Sequence, residues 1–131
     1  ESLFTIIPYD GTAKTWRGRG ALQPGTRTNV LAAEGFARGL QPGSGTNIHD
    51  SLVLALKVRG VETIYLLSDG APSRGGGPAE IKKRVEAMNY LLGVRVVTYG
   101  FTGSDEKLMK ELANKNWGWY RALNKSQKKK K

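Results

Sequence analysis

The sequence contains no cysteine, which excludes a disulfide framework, a thiolate metal site and a cysteine nucleophile. This absence identifies no cellular compartment. The chain also lacks any apolar run near the roughly 20 residues that a membrane-spanning helix needs. It begins at Glu1 with no basic-then-apolar signal segment, so we expect it to be a piece excised from a longer or processed protein.

Acidic residues are scarce relative to basic ones, with 11 Asp and Glu against 21 Lys and Arg and a net charge of +10. Lys125 and the four lysines at residues 128–131 account for half of this charge. Such a run is typical of a solvated chain end, so we predict a basic disordered tail over residues 124–131. Binding of this tail to nucleic acid or to an anionic surface is the alternative.

The remaining residues, 3–123, are expected to form one domain, because a chain of 131 residues buries a core without disulfides. Apolar runs predict five strands, at residues 3–8, 13–16, 63–67, 94–99 and 119–123. Helical spacing predicts four helices, which begin near Thr28, after Gly45, at Pro78 and after Asp105. This alternation predicts an α/β fold with a largely parallel sheet and helices on both faces.

Two oxygen-bearing side chains occur where a strand or loop passes into a helix. The strand at residues 63–67 leads into Asp69 and Gly70, and Thr46 precedes the second predicted helix. Asp-Gly is also a good turn and Thr46 a good helix cap, so structural roles remain open for both. At the carboxyl edge of a parallel sheet, however, a hydroxyl and a carboxylate together suit a hard divalent ion such as Mg²⁺.

Three segments together resemble von Willebrand factor A domains, bacterial members in particular: GTNI at residues 45–48, IYLLSDGAP at 64–72 and GVRVVTYGF at 93–101. The resemblance implies a Rossmann-like three-layer sandwich and a metal-ion-dependent adhesion site. It implies that Thr46 and Asp69 are metal ligands, that the ion is Mg²⁺ or Mn²⁺, and that the carboxylate of a protein partner completes the coordination.

The chain departs from this family at its amino-terminal side. It contains no Asp-x-Ser-x-Ser motif, and residues 3–8 resemble the second strand of the family, so the central first strand and its loop are missing. We expect a fragment; direct pairing of residues 3–8 with 63–67, or a strand from another chain, are the alternatives. With most ligands absent, we predict that this chain binds Mg²⁺ weakly or not at all.

Other candidate sites are weaker. His49 precedes Asp50, but no Gly-x-Ser-x-Gly motif is present, and neighbours on a helix are expected to point apart. The glycine-rich segments at residues 18–20 and 75–77 are not phosphate-binding loops, because neither precedes the required lysine. Core or edge packing is favoured over base stacking for the tryptophans Trp16, Trp117 and Trp119.

The sequence therefore predicts an adhesion-type protein-interaction module and no enzyme. Residues 17–25 and 73–77 are the predicted rim of the site. Within this rim, Arg74 is predicted to contact an acidic partner, since a guanidinium pairs well with a carboxylate. A binder of nucleic acid or anionic surfaces through the basic tail, and a metal-free scaffold of the same fold, are the alternatives.

Overall fold

A computed structural model describes residues 2–123, which form four α-helices, one short 3-10 helix (Gly18–Gly20), two small sheets and connecting loops. The first sheet is a two-residue antiparallel pair, β1 (Leu3–Phe4) with β2 (Gln23–Pro24). The second contains β3 (Thr63–Ser68), β4 (Arg95–Gly100) and β5 (Tyr120–Ala122), in that spatial order and all parallel. This arrangement confirms the predicted α/β class with a parallel sheet.

The four helices begin where capping chemistry predicts. Their bounds are α1 (Arg27–Arg38), α2 (Ile48–Leu56), α3 (Pro78–Asn89) and α4 (Glu106–Lys115). The Asp105 side chain accepts a hydrogen bond from the backbone N–H of Leu108 and so caps α4. Pro78 occupies the first turn of α3, where its missing N–H leaves no helical bond unmade.

One face of the three-stranded sheet is packed against α2, α3 and α4. Ile64 and Leu66 of β3 are buried on this face, and Thr98 of β4 donates a 2.8 Å hydrogen bond to the backbone oxygen of Met109 in α4. The helices contribute the other members of the core cluster: Ile48, Leu52, Leu56, Ile81, Val85, Leu108, Met109 and Leu112. This packing fixes the ends of the strands, and thereby the loops that follow them.

The opposite face of the sheet is open along β3, whereas Val97 of β4, the register partner of Tyr65, is buried on it. Tyr65 is 60% exposed and Leu67 is 50% exposed, although both alternate along β3 with buried residues. The rings of Tyr65 in β3 and Tyr99 in β4 stack with centroids 6.5 Å apart. Trp119, 47% exposed, precedes β5 and accepts a backbone hydrogen bond from Thr98, so of the two predicted alternatives it lies at the sheet edge and not in the core.

The amino-terminal region differs from the prediction. Of the strand predicted at residues 3–8, only Leu3–Phe4 is a strand, and residues 13–16 contribute one bridge, between Ala13 and Tyr9. Pro8 has no N–H to donate to a ladder, and Asp10 forms a tight turn by accepting a hydrogen bond from the Thr12 N–H. Within residues 2–123, β4 is the only ladder partner of β3, so the alternative of direct pairing with residues 3–8 is wrong.

Candidate functional site

The carboxyl end of β3 forms a tight turn that presents Asp69. The Ser68 hydroxyl donates a 2.9 Å hydrogen bond to the backbone oxygen of Gly70 and accepts one from the Gly70 N–H. The N–H of Phe101, just after β4, donates to the Ser68 backbone oxygen at 2.9 Å. These bonds fix the backbone on both sides of Asp69, whose side chain is exposed.

Thr46 lies against this turn, as the sequence predicts for two parts of one site. Its hydroxyl oxygen is 2.9 Å from the point that a Cβ atom on Gly70 would occupy, which places the hydroxyl next to the residue after Asp69. The Thr46 N–H donates to the Ser73 hydroxyl at 2.8 Å, and the Thr46 backbone oxygen accepts hydrogen bonds from the N–H groups of Ser73 and Arg74. The two loops are therefore joined by three hydrogen bonds.

Asn47 connects the site to the amino-terminal segment. Its side-chain oxygen caps α2 by accepting from the Asp50 N–H at 2.9 Å, while its amide nitrogen donates to the backbone oxygen of Gly11. The Asn47 N–H also donates to the backbone oxygen of Asp10 at 2.6 Å. The side chain is buried, so these bonds replace contacts with water and hold the Asp10 turn beside the start of α2.

Arg74 lies across the mouth of the site. Its Nε atom is 2.9 Å from the Cβ position of Gly45, and its Cδ atom is 3.2 Å from that of Gly11. The absence of side chains at these two glycines leaves room for the arginine stem. Arg74 is itself exposed, so its guanidinium sits beside the loops of Thr46 and Asp69 and is accessible to a partner.

Tyr9 closes the side of the site next to β3. Its hydroxyl donates a 2.8 Å hydrogen bond to the backbone oxygen of Leu67. Burial raises the pKa of Tyr9, a hydrogen bond with the Ser68 side chain opposes this rise, and the nearby charge of Asp69 adds to it. Through this hydrogen bond, the amino-terminal segment contacts the edge of β3 without forming a strand there.

His49 and Asp50 do contact each other, so the expectation that they point apart is wrong. His49 Nδ1 lies 2.8 Å from Asp50 Oδ1. Hydrogen bonds from His49 and from the Asn47 side chain lower the pKa of Asp50. None of the hydrogen bonds among residues 2–123 joins a serine hydroxyl to His49, so this pair is not part of a nucleophile–base arrangement there.

The oxygen atoms of Thr46 and Asp69 are too few to hold a divalent ion by themselves. Thr46 and Asp69 offer one hydroxyl and one carboxylate, whereas Mg²⁺ takes about six oxygen ligands. Within the described part of the chain, no group of three or more His, Cys, Asp or Glu side chains is arranged to hold a metal. Two oxygen donors alone therefore do not fit a complete Mg²⁺ site.

The sequence of this chain is similar to those of several known proteins. No family model matches the chain. Inter-alpha-trypsin inhibitor heavy chain H4 is 31% identical in Homo sapiens and 29% in Bos taurus, over 92% of this chain in both cases. Von Willebrand factor A domain-containing protein 3B of Homo sapiens is 28% identical over 95% of it. These relatives carry von Willebrand factor A domains.

The chain is a von Willebrand factor A-like domain. It spans only 14% of the length of the heavy chains and 9% of the third relative, so the whole-protein activities of these relatives do not transfer directly. A solved structure agrees on the fold of this A-like domain: proximal thread matrix protein 1 from the mussel byssus superposes with a TM-score of 0.69. That structure is 19% identical, and the match covers 98% of this chain and 32% of its own.

The relatives that are similar in sequence support an interaction or adhesion role for the A-like domain at the level of its class. The relatives compared above by sequence are mammalian, so the likeness to bacterial members stays a prediction. Among residues 2–123, no helix has the length and apolar character needed to cross a membrane.

Proposed function

We propose that this A-like domain is a non-enzymatic protein-interaction module that contacts its partner at the carboxyl edge of β3. The observation that supports this proposal is the set of three hydrogen bonds between Thr46 and the loop of Ser73 and Arg74. These bonds preorganise a surface on which the Asp69 carboxylate and the Arg74 guanidinium are both exposed.

Arg74 is proposed to be the partner-binding residue. A guanidinium recognises carboxylates through two parallel hydrogen bonds, and the stem of Arg74 is already placed by its packing over Gly45 and Gly11. Because less side-chain freedom remains to be lost, pairing with an acidic residue costs less than it would for an unrestrained arginine. The partner is accordingly a protein that presents an Asp or Glu side chain.

Thr46 and Asp69 would hold one side of a Mg²⁺ or Mn²⁺ ion, whose charge would attract the same partner carboxylate. Since these two residues supply few of the required oxygens, we propose that binding by this chain alone is weak or absent. The interaction surface then acts through Arg74 and the loop geometry. If no ion binds at all, the domain is a metal-free scaffold of the same fold.

The test begins with peptides selected from a displayed random library against the full chain. We expect acidic peptides, and we expect Arg74→Ala to weaken the best of them about tenfold, because a hydrogen bond to a charged group contributes about 1.5–3 kcal/mol. Fluorescence anisotropy measures the affinity. Adding Mg²⁺ or a chelator is expected to leave it nearly unchanged.

The matched control is Arg59→Ala, which removes an exposed arginine just beyond α2. Equal weakening by both variants would mean that only net charge matters, and unchanged binding by Arg74→Ala would remove Arg74 from the site. The basic tail, Lys125 and residues 128–131, lies outside the described residues. Binding through it would instead fall steeply with salt and require residues 125–131.

A further inference from the structure

A second concave surface lies between α3 and α4, at the other end of the sheet. Asn89, in its floor, donates a hydrogen bond to the backbone oxygen of Val94, at the amino end of β4. Asp69, by contrast, follows the carboxyl end of the parallel neighbour β3. The groove has a volume of about 300 Å³, and its rim carries four charged and two aromatic residues: Lys82, Glu86, Glu111, Lys115, Tyr90 and Trp117.

Trp117 occupies a backbone position that normally favours glycine. Its φ is +60°, in the left-handed region, where it forms the turn that ends α4. The next residue must be glycine, because a Cβ atom on Gly118 would lie 1.7 Å from the backbone oxygen of Val96. The Gly118 N–H closes the turn by donating to Ala113 at 2.9 Å. A bulky residue is thus held in a costly conformation at position 117.

The Trp117 ring does not pack in the core in return. It is 62% exposed, which excludes the core alternative of the predicted core or edge packing, and it borders the groove. Tyr90, 82% exposed, borders the same groove. Two accessible aromatic rings beside a cavity therefore provide flat, electron-rich faces that attract cations and repel anions.

The charges around the groove leave one carboxylate without an ion pair. Lys82 Nζ lies 2.8 Å from Glu111 Oε1. The pKa of Glu111 is lowered chiefly by its hydrogen bond with Lys82, and the charge of Lys115 contributes as well. Glu86, on the same face of α3 one turn before Tyr90, forms no ion pair within residues 2–123.

We propose that this groove binds an arginine side chain of a partner polypeptide, with the guanidinium between the Trp117 ring and the Glu86 carboxylate. A planar guanidinium can stack on an aromatic face and pair with a carboxylate at the same time, which an ammonium does less well. The ion pair at the groove joins Lys82 to Glu111, so a cation beside Glu86 replaces no ion pair among residues 2–123. This site is separate from the β3 edge and independent of the function proposed for it.

The test measures binding of the blocked peptide acetyl-Gly-Arg-Gly-amide to the full chain by two-dimensional NMR. We expect millimolar binding that shifts the indole signal of Trp117, which is assigned as the signal missing from Trp117→Gly. The matched peptide has citrulline in place of arginine, with the same shape and no charge. It is expected to bind about two- to fivefold more weakly, since a cation–π contact contributes about 0.5–1 kcal/mol.

Variants separate this site from a merely structural role. Trp117→Gly is expected to abolish binding while the thermal midpoint stays the same or rises, because glycine adopts the left-handed conformation freely. Glu86→Gln is expected to weaken binding about threefold, and Lys115→Gln to leave it equal or tighter. Glu62→Gln, an exposed carboxylate outside the groove, is the control.

Three results would overturn the proposal. Equal binding of the citrulline peptide would show that charge is not recognised. Retained binding by Trp117→Gly would remove the aromatic wall from the site. Loss of binding in Lys115→Gln would show that Lys115 is needed for binding, which contradicts a site in which the guanidinium is held by Trp117 and Glu86.

Discussion

Asn47 shows how one buried polar side chain sets the geometry of a whole site. Its amide group contacts both the Asp10–Gly11 turn and the start of α2, and its backbone N–H makes a third link. Each buried polar group that is left without a hydrogen-bonding partner lowers the stability of a protein by about 1–3 kcal/mol. Thr46, the adjacent candidate ligand, therefore precedes a residue whose position is fixed by these hydrogen bonds.

Tyr9 gives the molecule a dependence on alkaline pH. Its pKa in the folded state is raised above the ordinary value of 10.0, so above that pH the unfolded chain loses its proton first. The associated stability is fully present below pH 10 and is lost as the pH rises toward the folded pKa. We expect the free energy of unfolding, measured by urea denaturation, to fall more steeply with pH in the wild type than in Tyr9→Phe.

At neutral pH, Tyr9→Phe is expected to lose about 1 kcal/mol, because the Leu67 backbone oxygen loses its donor. Tyr90→Phe is the control, since that ring is exposed and its hydroxyl is in water. Parallel pH slopes for the wild type and Tyr9→Phe above pH 10 would contradict the assignment.

The sequence predicts only part of the site, because some of its contacts join residues that are far apart along the chain. Asp69 follows an apolar strand and Thr46 precedes a helix, and both signals are local. Ser73 and Tyr9 act through hydrogen bonds that span 27 and 58 positions along the chain. No periodicity or spacing reveals such contacts, so these two residues emerge only from the folded structure.

The elements of the three-stranded half are joined by a buried amide pair. Asn89, at the end of α3, donates to Asn116 at 2.8 Å and exchanges two hydrogen bonds with the backbone of Val94 before β4. Asn116 donates in turn to the backbone oxygen of Leu112 in α4. The pair fixes how two helices meet the amino end of a strand.

Asn89→Ala is expected to lower the free energy of unfolding by about 2–4 kcal/mol, because it leaves buried groups of Val94 and Asn116 without partners. The double variant with Asn116→Ala is expected to lose less than the sum of the single variants, since the two side chains share a bond. Chemical denaturation measures all three. Asn114→Ala, exposed on α4, is the control, and strict additivity would show that the pair is not coupled.

Long periodic elements are predicted well and the amino-terminal ones poorly. The strand predicted at residues 63–67 is β3 with one added residue, and the helix predicted from Pro78 is α3. Both have strong apolar patterns and close neighbours to pack on. Residues 3–8 have an equally apolar pattern, but a strand also needs a hydrogen-bonding neighbour, and only Leu3–Phe4 finds one.

Taken as a whole, the described chain has one sheet face that is covered by helices and one that is open along β3. The covered face contains Ile64 and Leu66 against three helices, while Tyr65 and Leu67 on the other face contact solvent. The small β1–β2 sheet lies in a separate part of the chain and contributes no strand to the larger sheet. Apolar surface that would be buried in a two-sided sheet thus remains hydrated in the folded state.

The open face has a calorimetric consequence. The heat-capacity change of unfolding comes mainly from apolar surface that meets water only when the chain unfolds, and is normally about 12–15 cal/mol/K per residue. Because Tyr65, Leu67 and Trp119 are already hydrated, we expect scanning calorimetry of dilute protein to give a smaller value. A value in the normal range would mean that this face is covered in solution. A smaller heat-capacity change also flattens the stability curve, so this domain should lose stability more slowly on cooling than its size suggests.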